Sequence, residues 1–394
     1  MNATRAAERA YLDHAATTAL RPLARDAFLA AAAVVGNPTS VHTSGRRARA
    51  VLDEALESIA GDLGVPRSWV LLTSGGTEAD NLAVRGAALA ARARDASRTA
   101  VLVAATDHPA TLATARSLAA DGVTARIAPV GRDGLLDPAA LAELLADGAV
   151  GLASAALLNN ETGVIQELAA LTAAARPRGT LVHTDAVQAV GHTRLPARGE
   201  VDLMSITGHK IGAPVGVGAL IADPDVPLAP NSTGGGQQRG VRSGTLDAPH
   251  AAALAAALHA TLEEAEAESA RLHALATRLR EGIARIDPTA RFTVPAGTPQ
   301  GGHIVHVCFP GADGQSLLFL LDERGAEVSA GSACSAGVTS ISPVLEAMGV
   351  QEADARGSVR FSLGWTSATE DIDVALAALP EALERARAVG ALTR

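Results

Sequence analysis

Between residues 69 and 221 the chain alternates two kinds of segment with different hydrophobic periods. Short β-branched or leucine-rich runs at 69–73, 99–103, 150–157, 180–184, 201–206 and 215–221 read as strands. Between them lie alanine-rich stretches with helical spacing, at 77–92, 109–120, 138–146 and 167–176. One helix start is written in the sequence, since Asp137-Pro138 gives an N-cap followed by proline at the first helical position. This alternation of strands and helices predicts a mainly parallel sheet with helices on both faces. With aromatics at only 2%, its core must be built from Leu, Val, Ile and Ala.

From 247 to about 286 a second pattern takes over. Leu254, Leu258, Leu262, Leu272, Leu275, Leu279 and Ile283 form one apolar stripe at helical spacing, ended by Asp287-Pro288. The remainder predicts strands near 303–309 and 357–363 and helices near 314–324 and 370–388, a smaller α+β unit.

Several function classes fall away on composition. A formal net charge of −9 disfavours nucleic acid as the main partner, because phosphate binding needs a basic face. The two cysteines, Cys308 and Cys334, are too few for a disulfide framework or a cysteine-ligated metal centre within one chain. The first residues contain no apolar signal region, and no uncharged apolar run reaches membrane-spanning length. The expectation is a soluble protein of the reducing cytoplasm.

The chain contains a single lysine, Lys210, in Gly208-His-Lys210. Arginine replaces lysine where only charge and reach matter, but a guanidinium cannot lose its proton and attack a carbonyl. A chain that has dispensed with every other lysine therefore points to Lys210 as a Schiff-base former, unless it is a compositional leftover. Its neighbours decide. Thr73-Ser-Gly-Gly-Thr77, between a strand and a helix, offers backbone amides and the Thr77 hydroxyl to a phosphate, though taken alone it is better explained by a glycine turn with a capping threonine. It lacks the Walker and G-x-G-x-x-G patterns. Asp185 ends a strand, where a carboxylate either caps the next helix or keeps a pyridine nitrogen protonated. Gln188 follows one turn on, placed to donate to a phenolic oxygen.

His108, in Asp107-His108-Pro109, can stack on a planar ring and shuttle protons. Asn159-Asn160 offers amide donors, while His183 and His192 read as structural. Cys334 sits among small residues that leave a thiol open to a partner; Cys308, in a strand, reads as buried and inert. Arg360 is a cation in an apolar strand and must pair a carboxylate, of a substrate or of the protein. Amine, pyridinium aspartate, ring-stacking histidine, phosphate cup and carboxylate-binding arginine together make the parts of a pyridoxal-phosphate enzyme acting on an amino acid.

With these residues assembled, the sequence resembles the cysteine desulfurases, in the NifS/IscS-like branch of the class V aminotransferase superfamily. The resemblance runs nearly end to end. It is carried by Tyr11-Leu-Asp-His-Ala-Ala-Thr-Thr18, Gly36-Asn-Pro-Thr-Ser-Val-His42, Thr73-Ser-Gly-Gly-Thr-Glu-Ala-Asp-Asn81 and Val359-Arg-Phe-Ser-Leu-Gly364. Most specific are Gly208-His-Lys210, Gly234-Gly-Gly-Gln-Gln-Arg-Gly-Val-Arg-Ser-Gly-Thr245 and Gly331-Ser-Ala-Cys334.

The resemblance implies the α/β fold of type I pyridoxal-phosphate-dependent transferases: a large domain at 15–260 with a mainly parallel seven-stranded sheet. A smaller α+β domain, 1–14 with 261–394, would carry the catalytic cysteine loop at about 329–343. It implies that Lys210 carries pyridoxal 5′-phosphate, Asp185 pairs its ring nitrogen, His108 stacks on the ring, and Gln188 and Asn160 approach its phenolic oxygen. Gly76, Thr77, Thr207 and His209 match phosphate-binding positions, and Thr245 matches one supplied by the other subunit of a homodimer. Arg360, helped by Asn160, would bind the substrate carboxylate. L-cysteine would become L-alanine, leaving a persulfide on Cys334 for an acceptor protein such as an iron–sulfur scaffold or a tRNA-thiolating enzyme. An aminotransferase, a selenocysteine lyase or a sulfur-relay scaffold would use the same ring contacts. Three positions depart from the pattern: His14 for asparagine, Thr207 for serine and Gln238 for glutamate.

Overall fold

The computed structural model describes residues 9–330 and 341–392. Cys334, with most of the expected 329–343 loop, lies outside the described residues. In chain order the strands are β1 (Ala10–Tyr11), β2 (Val70–Thr73), β3 (Ala100–Ala104), β4 (Thr124–Ala128), β5 (Val150–Ala156), β6 (Leu181–Asp185), β7 (Leu203–Thr207) and β8 (Gly218–Ala222). They continue as β9 (Arg291–Phe292), β10 (Ile304–Cys308), β11 (Ala326–Glu327) and β12 (Ser358–Ser362).

Seven strands form the main sheet in the order β2-β8-β7-β6-β5-β3-β4. All run parallel except β8, which is antiparallel to both β7 and β2. This is the mainly parallel, helix-covered sheet that the alternation predicts. The central strands are buried along their length, apart from half-buried Leu181 at the start of β6, as β5 illustrates. The edge strand β4 is the exception and was not among the expected elements. Its five residues, Thr-Ala-Arg-Ile-Ala, are half exposed, so they carry no continuous apolar run. Two helices, Pro22–Ala32 and Thr43–Asp62, were also not anticipated; both pack on the long helix Ala248–Ile286.

That long helix has 39 residues, about 58 Å at 1.5 Å per residue, and it enters two cores. Leu254 and Leu258 pack with Ile59, Ile206 and Ile221 against the main sheet. Leu272, Leu279 and Ile283 pack with Leu12, Phe309, Val359 and Leu379. The second core is lined by the antiparallel sheet β12-β10-β9 and by β1, which pairs in parallel with β11. The N-terminal strand therefore belongs spatially with the C-terminal residues.

Register brings the functional ends of the strands to one edge. Ala156 of β5 is level with Asp185 of β6, Asp185 with Ser205 of β7, and Thr207 with Gly218 of β8. Gly218 in turn pairs with Thr73, which ends β2. The loops that follow these ends share one crevice at the carboxyl ends of the parallel strands. Among the described residues, no helix is long and apolar enough to cross a membrane.

Candidate active site

The floor of the crevice is a glycine cup. The helix Gly76–Arg94 begins directly after β2, and no side chain caps its N-terminus. Gly75 has φ 153°, a left-handed value that disfavours a side chain. A Cβ on Gly76 would lie 2.6 Å from Val187 Cγ2, and one on Gly218 would lie 2.8 Å from the Gly75 carbonyl carbon. Only glycines allow these three segments to close together. The free amides of the first helical turn therefore face the crevice, a ready anion site.

Above the cup lies a cavity of about 360 Å³. Nine of the residues singled out in the sequence line it: Gly76, Thr77, His108, Asn160, Asp185, Gln188, Thr207, His209 and Lys210. Arg360 stands just behind, Thr245 is exposed and does not line this chain's cavity, and Cys334 lies outside the described residues.

Asp185 Oδ1 accepts a hydrogen bond from the Val187 amide at 2.8 Å. Burial raises its pKa to about 6, opposed by that amide and by the charge on Lys210. Lys210 Nζ donates to the carbonyl oxygens of Ala15 and, at 2.7 Å, Ala16. Gln188 Nε2 donates to the same Ala15 oxygen at 2.8 Å. Burial, helped by the Arg360 charge, lowers the Lys210 pKa from 10.5 to about 8, while Asp13 and Asp185 pull it upward. Because the chain has no other lysine, this can be read directly. In cofactor-free protein, reductive methylation of the Lys210 peptide should reach half its limiting rate near pH 8, followed by mass spectrometry. A midpoint near 10.5 would mean a solvated amine and would refute it.

His108 caps the helix Pro109–Ser117, its Nδ1 accepting from the Ala110 amide at 3.1 Å. The cap fixes the ring and leaves Nε2 for a ligand. Partial burial and the nearby Lys210 charge lower its pKa, so the ring is neutral. Arg360 in β12 is 3% exposed. Its Nη2 meets Asp13 Oδ1 at 2.6 Å and its Nη1 donates to the Asn160 carbonyl at 2.9 Å. The carboxylate that the sequence demanded is thus supplied, in this structure, by the protein.

Sequence reasoning missed the layer beneath the site. Asp80 lines the cavity at 1% exposure, and its Oδ1 lies 3.8 Å from His183 Nε2 with no hydrogen bond among the described residues. Burial and the Asp185 charge raise its pKa well above the carboxylate range. The signal was present: Asp80 lies on the buried stripe of its helix with Ala79, Ala83 and Ala87. His183, read as structural and without a visible partner, bridges Ser154 Oγ at 2.8 Å and Ser205 Oγ at 3.0 Å. It supports the strands that present Asp185.

Both ends of the segment containing Cys334 are fastened beside the crevice. The Ser329 amide donates to the Arg360 carbonyl at 3.1 Å, and the Arg360 amide donates back at 2.6 Å. On the far side, Ser342 Oγ donates to Glu161 Oε2 at 2.5 Å, and Glu161 adjoins Asn160.

Residues 10–375 match the class-V aminotransferase family. An IscS-like cysteine desulfurase of Mycobacterium tuberculosis is 44% identical over 382 residues, covering 96% of this chain and 97% of that protein. Among solved structures, a NifS-like protein superposes with a TM-score of 0.88 at 30% identity, covering 96% of this chain and all of the other. SspA, solved in complex with cysteine, superposes with a TM-score of 0.77 at 26% identity, covering 90% of this chain and 98% of that one. The chain belongs to the class-V aminotransferases, in the cysteine desulfurase branch of that family.

Proposed function

We propose that this chain converts L-cysteine to L-alanine with pyridoxal 5′-phosphate and leaves the sulfur as a persulfide on Cys334. One observation carries the assignment of residues: the amine, the carboxylate, the imidazole and the glycine cup all line one cavity. That donor set fits the cofactor. The Gly76–Thr77 amides with Thr207 and His209 suit its phosphate, Asp185 suits its ring nitrogen, His108 suits its face, Gln188 and Asn160 suit its phenolic oxygen, and Lys210 suits its aldehyde. When bound, pyridoxal phosphate supplies an electron sink for the pair released when the substrate Cα–H bond breaks.

The protein's own residues do the rest. Lys210, with a pKa near the working pH, takes and returns the α-proton, assisted by His108. Arg360 and Asn160 hold the substrate carboxylate, which competes with Asp13 for the guanidinium. Cys334 thiolate attacks the substrate sulfur. An S–S bond forms as the Cβ–S bond breaks, and the electron pair left on Cβ takes up a proton to become the methyl group of alanine. The structure supports this placement through the anchors at Ser329 and Ser342, since Cys334 lies five residues beyond Ser329 and reaches about 17 Å from it at full extension.

A homodimer is part of the proposal. Val215 lines the cavity yet is 74% exposed, so an apolar side chain stands uncovered at the rim of the site. Thr245 is then free to serve the partner's phosphate. The sulfur acceptor is a second protein, of the kind that assembles iron–sulfur clusters or thiolates tRNA, in the reducing cytoplasm. The separate cores support a large domain at 15–260 and a small one formed by 1–14 and 261–394.

The assay is direct. Purified protein with pyridoxal phosphate, L-cysteine and a reductant should release sulfide and alanine in equal amounts. Failure to release sulfide would sink the proposal.

A further inference from the structure

A second, smaller cavity lies behind Lys210, away from the glycine cup. It measures about 40 Å³ and is lined by His14, Gln188, His192, Lys210 and His303 among others, which leaves room for about three waters. Lys210 is thus in the wall of both cavities. His192 is likewise shared, between the small cavity and an outer groove of about 600 Å³.

The imidazoles are built into this place. His14 is 5% exposed, its Nδ1 lies 2.7 Å from Thr18 Oγ1, and its Nε2 has no partner among the described residues. His303 is 2% exposed and neither of its ring nitrogens has a partner among those residues. Its ring stacks on half-buried His192 with centroids 3.5 Å apart and planes 12° from parallel. Glycines make the room: a Cβ on Gly364 would lie 2.3 Å from His14 Nδ1, and one on Gly301 would lie 2.9 Å from the His303 ring. The charged groups on the same walls are occupied, Arg21 by Glu264 and the Ile211 carbonyl, and Glu268 by Arg271. Buried polar nitrogens without partners around a roomy void imply ordered water.

We propose that His14, His192 and His303, with water in the cavity they line, form a proton relay joining Lys210 to the outer groove. Through it the Lys210 ammonium gives up one proton to solvent and takes another back, with no change in net charge. Burial lowers the pKa of His14 and of His192 to about 4 and holds that of His303 well below the usual imidazole value, against about 8 for Lys210. The proton therefore rests on Lys210 and crosses the imidazoles without lodging there. These are positioning residues, since none lines the cofactor cavity. The inference rests on the proposed role of Lys210 as carrier of the substrate α-proton.

Two measurements test it. The first supplies L-cysteine deuterated at Cα, in ordinary water, and determines the deuterium content of the alanine by mass spectrometry. The wild type should return mostly solvent hydrogen, whereas His14→Leu and the less buried His192→Leu should each retain severalfold more deuterium. A purely structural defect slows turnover without changing that ratio. Equal deuterium content in wild type and both variants overturns the relay alone; no alanine from the wild type overturns the proposed activity and the relay with it. The second is a crystal structure of the cofactor-free wild type. Water within hydrogen-bond distance of His14 Nε2 and of His303 is expected, and a dry cavity overturns the relay whatever the isotope result.

Discussion

Lys210→Arg is expected to lower sulfide release on the order of 10³-fold or more, with the protein still folded, because the chain loses its one side-chain amine that can be neutral at working pH. Charge is not what the position needs. The Lys210 ammonium donates to the Ala15 and Ala16 carbonyls, contacts that a guanidinium can also make. What arginine lacks is a neutral form, whereas burial brings the lysine to about 8. The loss should be nearly as large for arginine as for Lys210→Ala. Borohydride reduction of cofactor-loaded protein, then peptide mass mapping, reads the cause. Wild type should carry the cofactor on the Lys210 peptide, and Lys210→Arg should carry it nowhere. Cofactor fixed at the N-terminal amine, or sulfide release undiminished in the variant, would remove Lys210 from the mechanism.

Cys334→Ala should abolish sulfide release to a similar extent, on the order of 10³-fold, while Cys308→Ala leaves it close to wild type. The two thiols differ in setting. Cys308 is in β10, 2% exposed, with its Sγ 3.7 Å from Thr293 Oγ1, and burial raises its pKa. A buried, protonated thiol is a poor nucleophile. Cys334 belongs to a segment anchored at Ser329 on Arg360 and at Ser342 on Glu161, both beside the crevice. Intact-mass measurement after L-cysteine without reductant separates the roles. One added sulfur atom should map to the Cys334 peptide, and Cys308→Ala should still acquire it. A persulfide on Cys308, or sulfide release from Cys334→Ala at the wild-type rate, would overturn the assignment.

The main sheet was legible because parallel strands covered on both faces must be short and apolar, and Val150–Ala156 is buried at every position. The long helix was legible from its leucine stripe. Edge strand Thr124–Ala128 was not, because half of it faces solvent and its pairing with β3 is a tertiary fact. In the crevice, the chemistry-bearing side chains could be picked out by type, since few residues can do what Lys210 or Asp185 can do. Their supports could not. Asp13 is an ordinary carboxylate in sequence and becomes the partner of Arg360 only when β1 and β12 come together. Likewise His14, His192 and His303 are spread over most of the chain, and no spacing rule shows that they meet.

The first strand has a further consequence, for the order in which the chain is completed during synthesis. Ala10 pairs with Ala326 and Tyr11 with Glu327, so β1 emerges early and waits for most of the chain before it finds its partner. The residues just after it supply the carbonyls that hold Lys210 and Gln188, and the carboxylate that holds Arg360. A nascent chain can therefore form the parallel sheet and its glycine cup before the lysine has its neighbours. Competence arrives only once the strands at 326–327 and 358–362 have been made, when β1 and the segment after it close over a pocket that the middle has already built.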